Sequence, residues 1–160
     1  MIKILAMDVD GTLTDGKLYI GNDGELCKAF NVKDGYAINN ILPQHGIIPV
    51  IITGRNSDIV EKRCKELNIQ ALYQGCVNKK EKLIEIAKMY GIHCNEKGEL
   101  PGVAYVGDDL PDLECMEIAE IAGCPKDAAI EVVQNSDFVS TKTGGDGVVR
   151  EFVDWMIQKC

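Results

Sequence analysis

Residues 1–14 read MIKILAMDVDGTLT, an apolar run followed at once by two carboxylates, Asp8 and Asp10. The run at residues 2–7 has the length of a buried strand, and it lacks the longer apolar region and cleavage site of a signal peptide. Similar runs recur at residues 47–52, 71–73, 103–106, 121–122 and 138–139. We therefore expect a series of short buried strands, the first of which ends in acidic residues.

Helical patterns separate these runs. One helix is preceded by a cap pair, Asn78 and Glu81, and followed by Gly91. A second pattern spans residues 34–42, and the last helix has an apolar stripe on one side. Strands that are buried on both faces and alternate with helices predict an α/β fold. We expect a Rossmann-like three-layer sandwich around a central parallel sheet.

One segment interrupts the alternation of strands and helices. Residues 17–20 and 25–30 have the pattern of two short strands around Gly-Asn-Asp-Gly at residues 21–24. This predicts a β-hairpin flap inserted after the first strand. The chain has no internal repeat or linker, so we expect a single domain over residues 1–160. The polar segment at residues 93–102 is expected to be a surface loop.

The composition excludes several classes of partner. Hydrophobic residues make up 46% of the chain, and the formal net charge of −8 opposes binding to nucleic acid or to anionic membranes. No apolar run approaches the roughly 20 residues of a membrane helix. The seven cysteines are odd in number and never form a CxxC pair, which favours reduced thiols and a cytoplasmic location over disulfides or a zinc site.

The residues that follow the strands form the candidate site, because ligands of open parallel sheets bind beyond the carboxyl ends of the strands. Carboxylates brought together there raise one another's pKa unless a cation lies among them, and hard oxygen donors suit Mg²⁺. These residues are Asp8, Asp10, Thr53, Gly54, Lys79, Asp108 and Asp109.

This set of groups suits phosphoryl transfer. One aspartate can attack phosphorus, and a second, two residues on, can protonate the leaving oxygen. Thr53 and the backbone amides near Gly54, expected at a helix start, can hold phosphate oxygens. Lys79 can neutralise charge on both the phosphate and the attacking carboxylate, although Lys80 and Lys82 leave the choice among the lysines open.

Four motifs resemble those of the haloacid dehalogenase-like phosphatases. Residues 8–14, DVDGTLT, match the first motif, and residues 52–54, ITG, resemble the second. Lys79 corresponds to the third, and residues 107–112, GDDLPD, to the fourth. Each motif follows an expected strand and all four occur in family order, so the resemblance is specific. Response-regulator receiver domains use similar residues on a parallel sheet, but the order of those residues differs from the order in this chain.

The resemblance implies the role of each residue. Asp8 is expected to form an aspartyl-phosphate and Asp10 to act as general acid and base. Mg²⁺ is expected to bind the Asp8 carboxylate, the Asp10 backbone carbonyl and Asp108. Two further aspartates, Asp109 and Asp112, are expected to orient these ligands.

The spacing of the motifs leaves no room for the cap domain that covers many sites of this superfamily. Only 42 residues separate Asp10 from Thr53, and 25 separate Thr53 from Lys79. The chain is similar throughout to the uncapped 3-deoxy-D-manno-octulosonate 8-phosphate phosphatases. The segments that carry this resemblance are FNVKDGY at 30–36, IITGR at 51–55, YQG at 73–75, AYVGDD at 104–109 and GGDGVVRE at 144–151.

This family implies a homotetramer in which the hairpins pack together and a neighbour helps to close each site. Within the family, Arg55 and Arg63 are candidate contacts for the carboxylate of a sugar acid, because a guanidinium matches a carboxylate. Asp146 stands where these phosphatases usually have Arg, and the chain ends at Cys160 without a longer closing tail. Two alternatives therefore stay open: a sialic-acid-type 9-phosphate phosphatase and a non-catalytic tetramerisation module.

Overall fold

The first strand lies at the centre of a parallel sheet. The computed structural model describes residues 1–159, and Cys160 lies outside the described residues. The sheet has six strands, β1 (Ile4–Met7), β4 (Ile48–Ile52), β5 (Ala71–Tyr73), β6 (Leu100–Val106), β7 (Ala119–Cys124) and β8 (Phe138–Val139). Their order across the sheet is β5-β4-β1-β6-β7-β8. This arrangement confirms the expected α/β fold with a central parallel sheet.

Helices cover both faces of the sheet. They are α1 (Val32–Tyr36), α2 (Leu42–Gln44), α3 (Asp58–Glu66), α4 (Lys79–Met89), α5 (Leu110–Ile118), α6 (Ile130–Gln134) and α7 (Val148–Lys159), with a π-helical turn (Ala37–Ile41) between α1 and α2. Within residues 1–159, no helix is both long and apolar enough to cross a membrane.

The side chains of β1 divide between two cores, as the two-residue period of a strand requires. Leu5 and Met7 belong to the core that contains Phe152 of α7. Ile4 and Ala6 belong to the opposite core, which contains residues of α4 and α5. A strand that is buried on both faces explains the continuous apolar run before Asp8, and it confirms the three layers.

The register of the sheet brings the strand ends together. Met7 of β1 pairs with Ile51 of β4 on one side and with Val106 of β6 on the other. The backbone N–H of Asp8 continues this pairing by donating to the carbonyl of Val106 at 3.0 Å. The residues that follow these strands therefore meet at one edge of the sheet.

The flap is an antiparallel hairpin of β2 (Tyr19–Gly21) and β3 (Gly24–Cys27), in which Gly21 pairs with Gly24 across the turn. This confirms the expected hairpin, with strands shorter than the sequence pattern suggested and a register shift between Tyr19 and Ile20. Its side chains Leu18, Ile20 and Leu26 are exposed.

Among the boundaries that differ from the expectation, two change the description of a segment. The segment at residues 93–102 is not entirely a loop, because β6 begins at Leu100, which is fully buried and pairs with Ala119. Gly102, at φ 87°, lies in the register shift between Leu100 and Ala104. The apolar run at 103–106 therefore marked only the second part of the strand. The helix expected at residues 34–42 begins earlier, at Val32, where the Asn31 side chain caps it by accepting from the N–H of Lys33.

Candidate active site

A buried lysine joins two of the strand-end carboxylates. The ammonium of Lys79, at the start of α4, lies 2.7 Å from Asp8 Oδ1 and 2.8 Å from Asp112 Oδ1. All three residues are buried. The side chain of Asn78 caps α4 by accepting from the N–H of Glu81, which directs the first residue of the helix toward the sheet edge. The structure therefore places Lys79 at this site; Lys80 instead pairs with Glu114 and Lys82 with Glu85.

Asp112 is the most heavily bonded carboxylate of the site. Besides Lys79, it accepts from the hydroxyl of Tyr105 at 2.7 Å and from the backbone N–H groups of Asp108 and Asp109 at 3.1 and 3.3 Å. Asp109 is the N-cap of α5 and forms a capping box with Asp112. A Cβ at Gly107 would lie 2.4 Å from the Asp112 carboxyl carbon, so only glycine fits there.

The pKa values at the site are shifted because three carboxylates, those of Asp8, Asp108 and Asp112, lie close together. Burial and the nearby charge of Asp112 raise the pKa of Asp8 to about 6, although Lys79 opposes this shift. Burial, Asp8 and Asp112 raise the pKa of Asp108 to about 8. Burial opposes the charge of Lys79, but the two carboxylates beside it raise its pKa above the usual value. One ammonium therefore does not balance the negative charge of the cluster.

The cluster fits a hard divalent cation. Carboxylate oxygens of Asp8, Asp108 and Asp112 all lie within 4.8 Å of one another. The loop of the first motif packs tightly against Asp108, since a Cβ at Gly11 would lie 2.0 Å from Asp108 Oδ2. Oxygen donors of this kind at this spacing suit Mg²⁺. The candidate donors include Asp112, for which the sequence predicted only an orienting role.

The cluster forms the floor of an open cleft of about 290 Å³. Thr53, which is buried, and Gly54 line one wall beside Arg55, and Asp10 and Cys76 also face the cleft. Val77 lies at the rim and is fully exposed. Of the eight residues expected to bind substrate, phosphate or metal or to take part in the chemistry, seven therefore meet in this cleft: Asp8, Asp10, Thr53, Gly54, Arg55, Lys79 and Asp108.

Gly54 does not lie at a helix start, contrary to expectation. Helix α3 begins at Asp58, where the hydroxyl of Ser57 caps it by accepting from the N–H of Val60 at 3.4 Å. The amides near Gly54 therefore belong to a loop, and the N-terminus of α3 lies beyond it.

Asp10 points to a different set of partners from those of Asp8. Its carboxylate contacts the ammonium of Lys28, and its Oδ2 lies 4.0 Å from Nε of Arg55. It is not part of the carboxylate cluster in the described residues. The expectation that the Asp10 backbone carbonyl binds the cation stays a prediction.

The structure does not bring Arg63 into the cleft. Its guanidinium pairs with Glu66 at 2.7 Å, lies over the ring of Phe30, and lines a separate small cavity with Asp34. Asp34 is buried and caps α7 by accepting from the N–H of Arg150 at 2.8 Å, and burial raises its pKa to about 6. Arg63 lies in α3 beyond its capped first turn, on the side of the core that faces α1.

The glycine segment before α7 supports the site loop. A Cβ at Gly144 would lie 2.0 Å from the carbonyl oxygen of Gly11, and Gly145 donates its N–H to the carbonyl of Thr12 at 3.0 Å. Asp146 lies beside Lys33 in another groove and does not line the cleft.

Two residues of the site escaped the sequence reasoning. Tyr105 lies inside an apolar strand run, where the pattern predicts a core residue. The only available signal was that the hydroxyl of a buried tyrosine usually has a hydrogen-bond partner. Lys28 follows a flap strand, where a lysine is ordinarily exposed, yet its side chain is 1% exposed.

The parallel sheet, the aspartates of the first loop, Thr53, Lys79 and the acidic α5 start define a phosphatase of the haloacid dehalogenase-like superfamily. No protein-family model matches the chain. Over 156 residues it is 42% identical to 3-deoxy-D-manno-octulosonate 8-phosphate phosphatase of Escherichia coli K12, covering 98% of this chain and 79% of the relative. The chain belongs to the 3-deoxy-D-manno-octulosonate 8-phosphate phosphatase family.

Solved structures agree with this membership. The phosphatase of Moraxella catarrhalis, in complex with magnesium ion, phosphate ion and a KDO molecule, superposes with a TM-score of 0.89 at 40% identity, covering 98% of this chain and 86% of that one. The cobalt-bound phosphatase of Haemophilus influenzae superposes with a TM-score of 0.90 at 33% identity, covering 98% and 88%.

Proposed function

We propose that the protein is a Mg²⁺-dependent phosphomonoesterase that hydrolyses 3-deoxy-D-manno-octulosonate 8-phosphate. The observation that carries the proposal is the buried cluster in which Lys79 joins Asp8 and Asp112 while Asp108 lies within 4.8 Å. Relatives with this named activity cover nearly the whole chain, and one is in complex with magnesium, phosphate and KDO.

In the proposed mechanism, Asp8 attacks phosphorus in line with the ester oxygen. The Asp8–phosphorus bond forms as the bond to the sugar oxygen breaks, giving an aspartyl-phosphate. Lys79 holds one oxygen of Asp8 and leaves the other for attack. Thr53 and Gly54 contribute donors for the phosphoryl oxygens.

Asp10 moves the protons. It donates one to the departing sugar oxygen, and then takes one from the water that hydrolyses the aspartyl-phosphate. Its position in the lining of the cleft, separate from the carboxylate cluster, suits this role.

A magnesium ion would be held by Asp8 and Asp108, with Asp112 and the Asp10 carbonyl as further candidate donors, and would stabilise negative charge on the phosphoryl group. Asp109 contributes by capping α5, which fixes the position of Asp112.

Arg55 is the proposed contact for the sugar-acid carboxylate. It lines the cleft, and its side chain is 46% exposed, so its guanidinium is accessible to a ligand. Arg63 lacks this access from the same chain.

We propose a homotetramer assembled through the flap. The exposed apolar side chains of the flap, Leu18, Ile20 and Leu26, suit burial against another copy. The cleft is open and Val77 at its rim is fully exposed, so a neighbouring subunit would supply the missing wall. Light scattering of the purified protein tests this state. We place the enzyme in the cytoplasm, in the synthesis of the lipopolysaccharide sugar.

The testing experiment measures Mg²⁺-dependent phosphate release from the octulosonate 8-phosphate, a sialic-type 9-phosphate and simple sugar phosphates. Preference for the first ester supports the proposal. Preference for the nine-carbon ester keeps the mechanism but changes the substrate. Absence of release from every ester, with Mg²⁺ bound, would favour the non-catalytic tetramerisation module.

A further inference from the structure

The flap sends one charged side chain back into the protein. Lys28 directly follows β3, whose residue Leu26 is exposed, yet the side chain of Lys28 is 1% exposed. A lysine is seldom buried this fully unless its ammonium is paired.

The ammonium of Lys28 is paired with two carboxylates. It contacts Oδ1 of Asp10 and lies 2.8 Å from Oε1 of Glu25. Glu25 in turn accepts from the hydroxyl of Ser57, and the N–H of Ser57 donates to the side chain of Gln74 at 2.9 Å. Lys28 is therefore anchored to the start of α3 and the loop after β5 as well as to the flap.

This anchoring determines where the Asp10 carboxylate points. Lys28 takes one of its oxygens, and the other faces Arg55 at 4.0 Å. An aspartate has only two rotatable side-chain bonds, so a fixed partner on one oxygen orients the whole carboxylate. Without Lys28, Asp10 would be free to turn to other rotamers, away from the position that the departing oxygen needs.

We propose that Lys28 is a positioning residue that holds the Asp10 carboxylate in the orientation required for proton transfer to and from the substrate. This inference rests on the proposed phosphatase function. It makes Lys28, which follows β3 of the flap, part of the reaction machinery.

The test compares two esters in the first turnover. The octulosonate ester has an alkoxide leaving group that needs a proton, whereas 4-nitrophenolate leaves without one. In Lys28→Met, cleavage of the octulosonate ester should slow about 100-fold, at the lower end of general-acid effects, while the first-turnover release of nitrophenol stays within about threefold. Asp10→Asn should show the same pattern with a larger loss on the sugar ester.

Three controls separate positioning from folding. Lys17→Met removes an exposed flap lysine and should leave both rates unchanged. Lys28→Arg keeps the positive charge and should recover part of the lost rate. Glu25→Gln weakens the anchor without touching Asp10 and should give a smaller loss with the same ester dependence. Circular dichroism and Mg²⁺ titration establish that each variant is folded and binds the cation.

Each result decides the proposal. Equal losses on both esters, or a Lys28→Met protein as active as Lys17→Met, would overturn the positioning role. If Lys28→Met does not fold, the ester dependence of Lys28→Arg and Glu25→Gln decides instead, and its absence overturns the role. A wild-type protein inactive on both esters contradicts the proposed function itself, and the inference about Lys28 falls with it.

Discussion

The two sides of the cleft differ in how completely this chain builds them. On the sheet side, Asp8, Lys79 and Asp112 are at most 7% exposed, and each has its partners within the same domain. The other side is called the flap side, because Arg55 there faces Asp10, a partner of Lys28. Arg55 on this side and Val77 at the rim are open to solvent. From this difference we expect that a single copy of the chain suffices for the proposed phosphoryl chemistry, whereas the pocket for the rest of the substrate needs further contacts.

The largest expected effect is on the sheet side. Asp8→Asn keeps the shape of the side chain but removes the attacking oxygen, so phosphate release should fall by roughly 10⁴-fold or more. Mg²⁺ binding should persist, because Asp108 and Asp112 stay in place. Phosphate-release assays and Mg²⁺ titration measure the two properties. Appreciable turnover of the variant would remove Asp8 as the nucleophile.

A smaller effect is expected on the flap side. Arg55→Ala removes a charge-assisted contact with the substrate carboxylate, so the KM for the octulosonate ester should rise about 10- to 100-fold. The matched control is glycerol phosphate, which has no carboxylate and whose KM should change much less. Equal changes for the two substrates would show that Arg55 acts on Asp10 or on the phosphate, and not on the sugar acid.

Tyr105→Phe tests whether the position of Asp112 on the sheet side depends on the hydrogen bond from the Tyr105 hydroxyl. The variant removes only the hydroxyl that donates to Asp112, leaving the buried ring in place. We expect the free energy of unfolding to fall by about 1 kcal/mol. We also expect kcat to fall about tenfold, because a looser Asp112 no longer holds Lys79. Unchanged kcat with lowered stability would confine Tyr105 to a structural role.

The pH dependence of stability gives the smallest effect. The pKa values of Asp8 and Asp108 are raised in the folded state, to about 6 and about 8. Their contribution to stability is therefore fully present below the unfolded value of 3.8 and is lost as the pH rises through the folded values. In chelator, Tm should fall between pH 5 and pH 8, and Mg²⁺ should raise Tm more at pH 8.

The increment from Mg²⁺ isolates the site from other titrating groups. Asp34, whose pKa is also raised to about 6, lines a different cavity and contributes the same decline with or without the cation. A Mg²⁺ increment that is equal at both pH values would mean that protonation of the crowded carboxylates does not compete with the ion.

Most of the sheet-side cluster was predictable because its residues lie at strand ends. Asp8, Thr53, Lys79 and Asp108 follow short apolar runs, and parallel strands align their carboxyl ends. The central place of Asp112 was less predictable, since it depends on the first turn of α5 and on the close approach permitted by Gly107.

The flap side was harder to predict. Arg55 belongs to a segment that resembles the family, whereas Arg63 was equally well explained as a surface helix charge. The path of α3 takes Arg63 away from the cleft. Asp10, one of the two partners of Lys28, lies 18 residues away on another loop, so no local pattern indicated this contact.

The sequence alone therefore determined the α/β fold, the superfamily and the order of the motifs, because strand length, periodicity and motif spacing are local properties of the chain. The tertiary structure decided which charges meet: Lys79 with Asp8 and Asp112, and Lys28 with Asp10. It also placed Arg63 at a cavity outside the cleft. The physical reason is that a charge interacts over a few ångströms of space, whatever number of residues separates the partners along the chain.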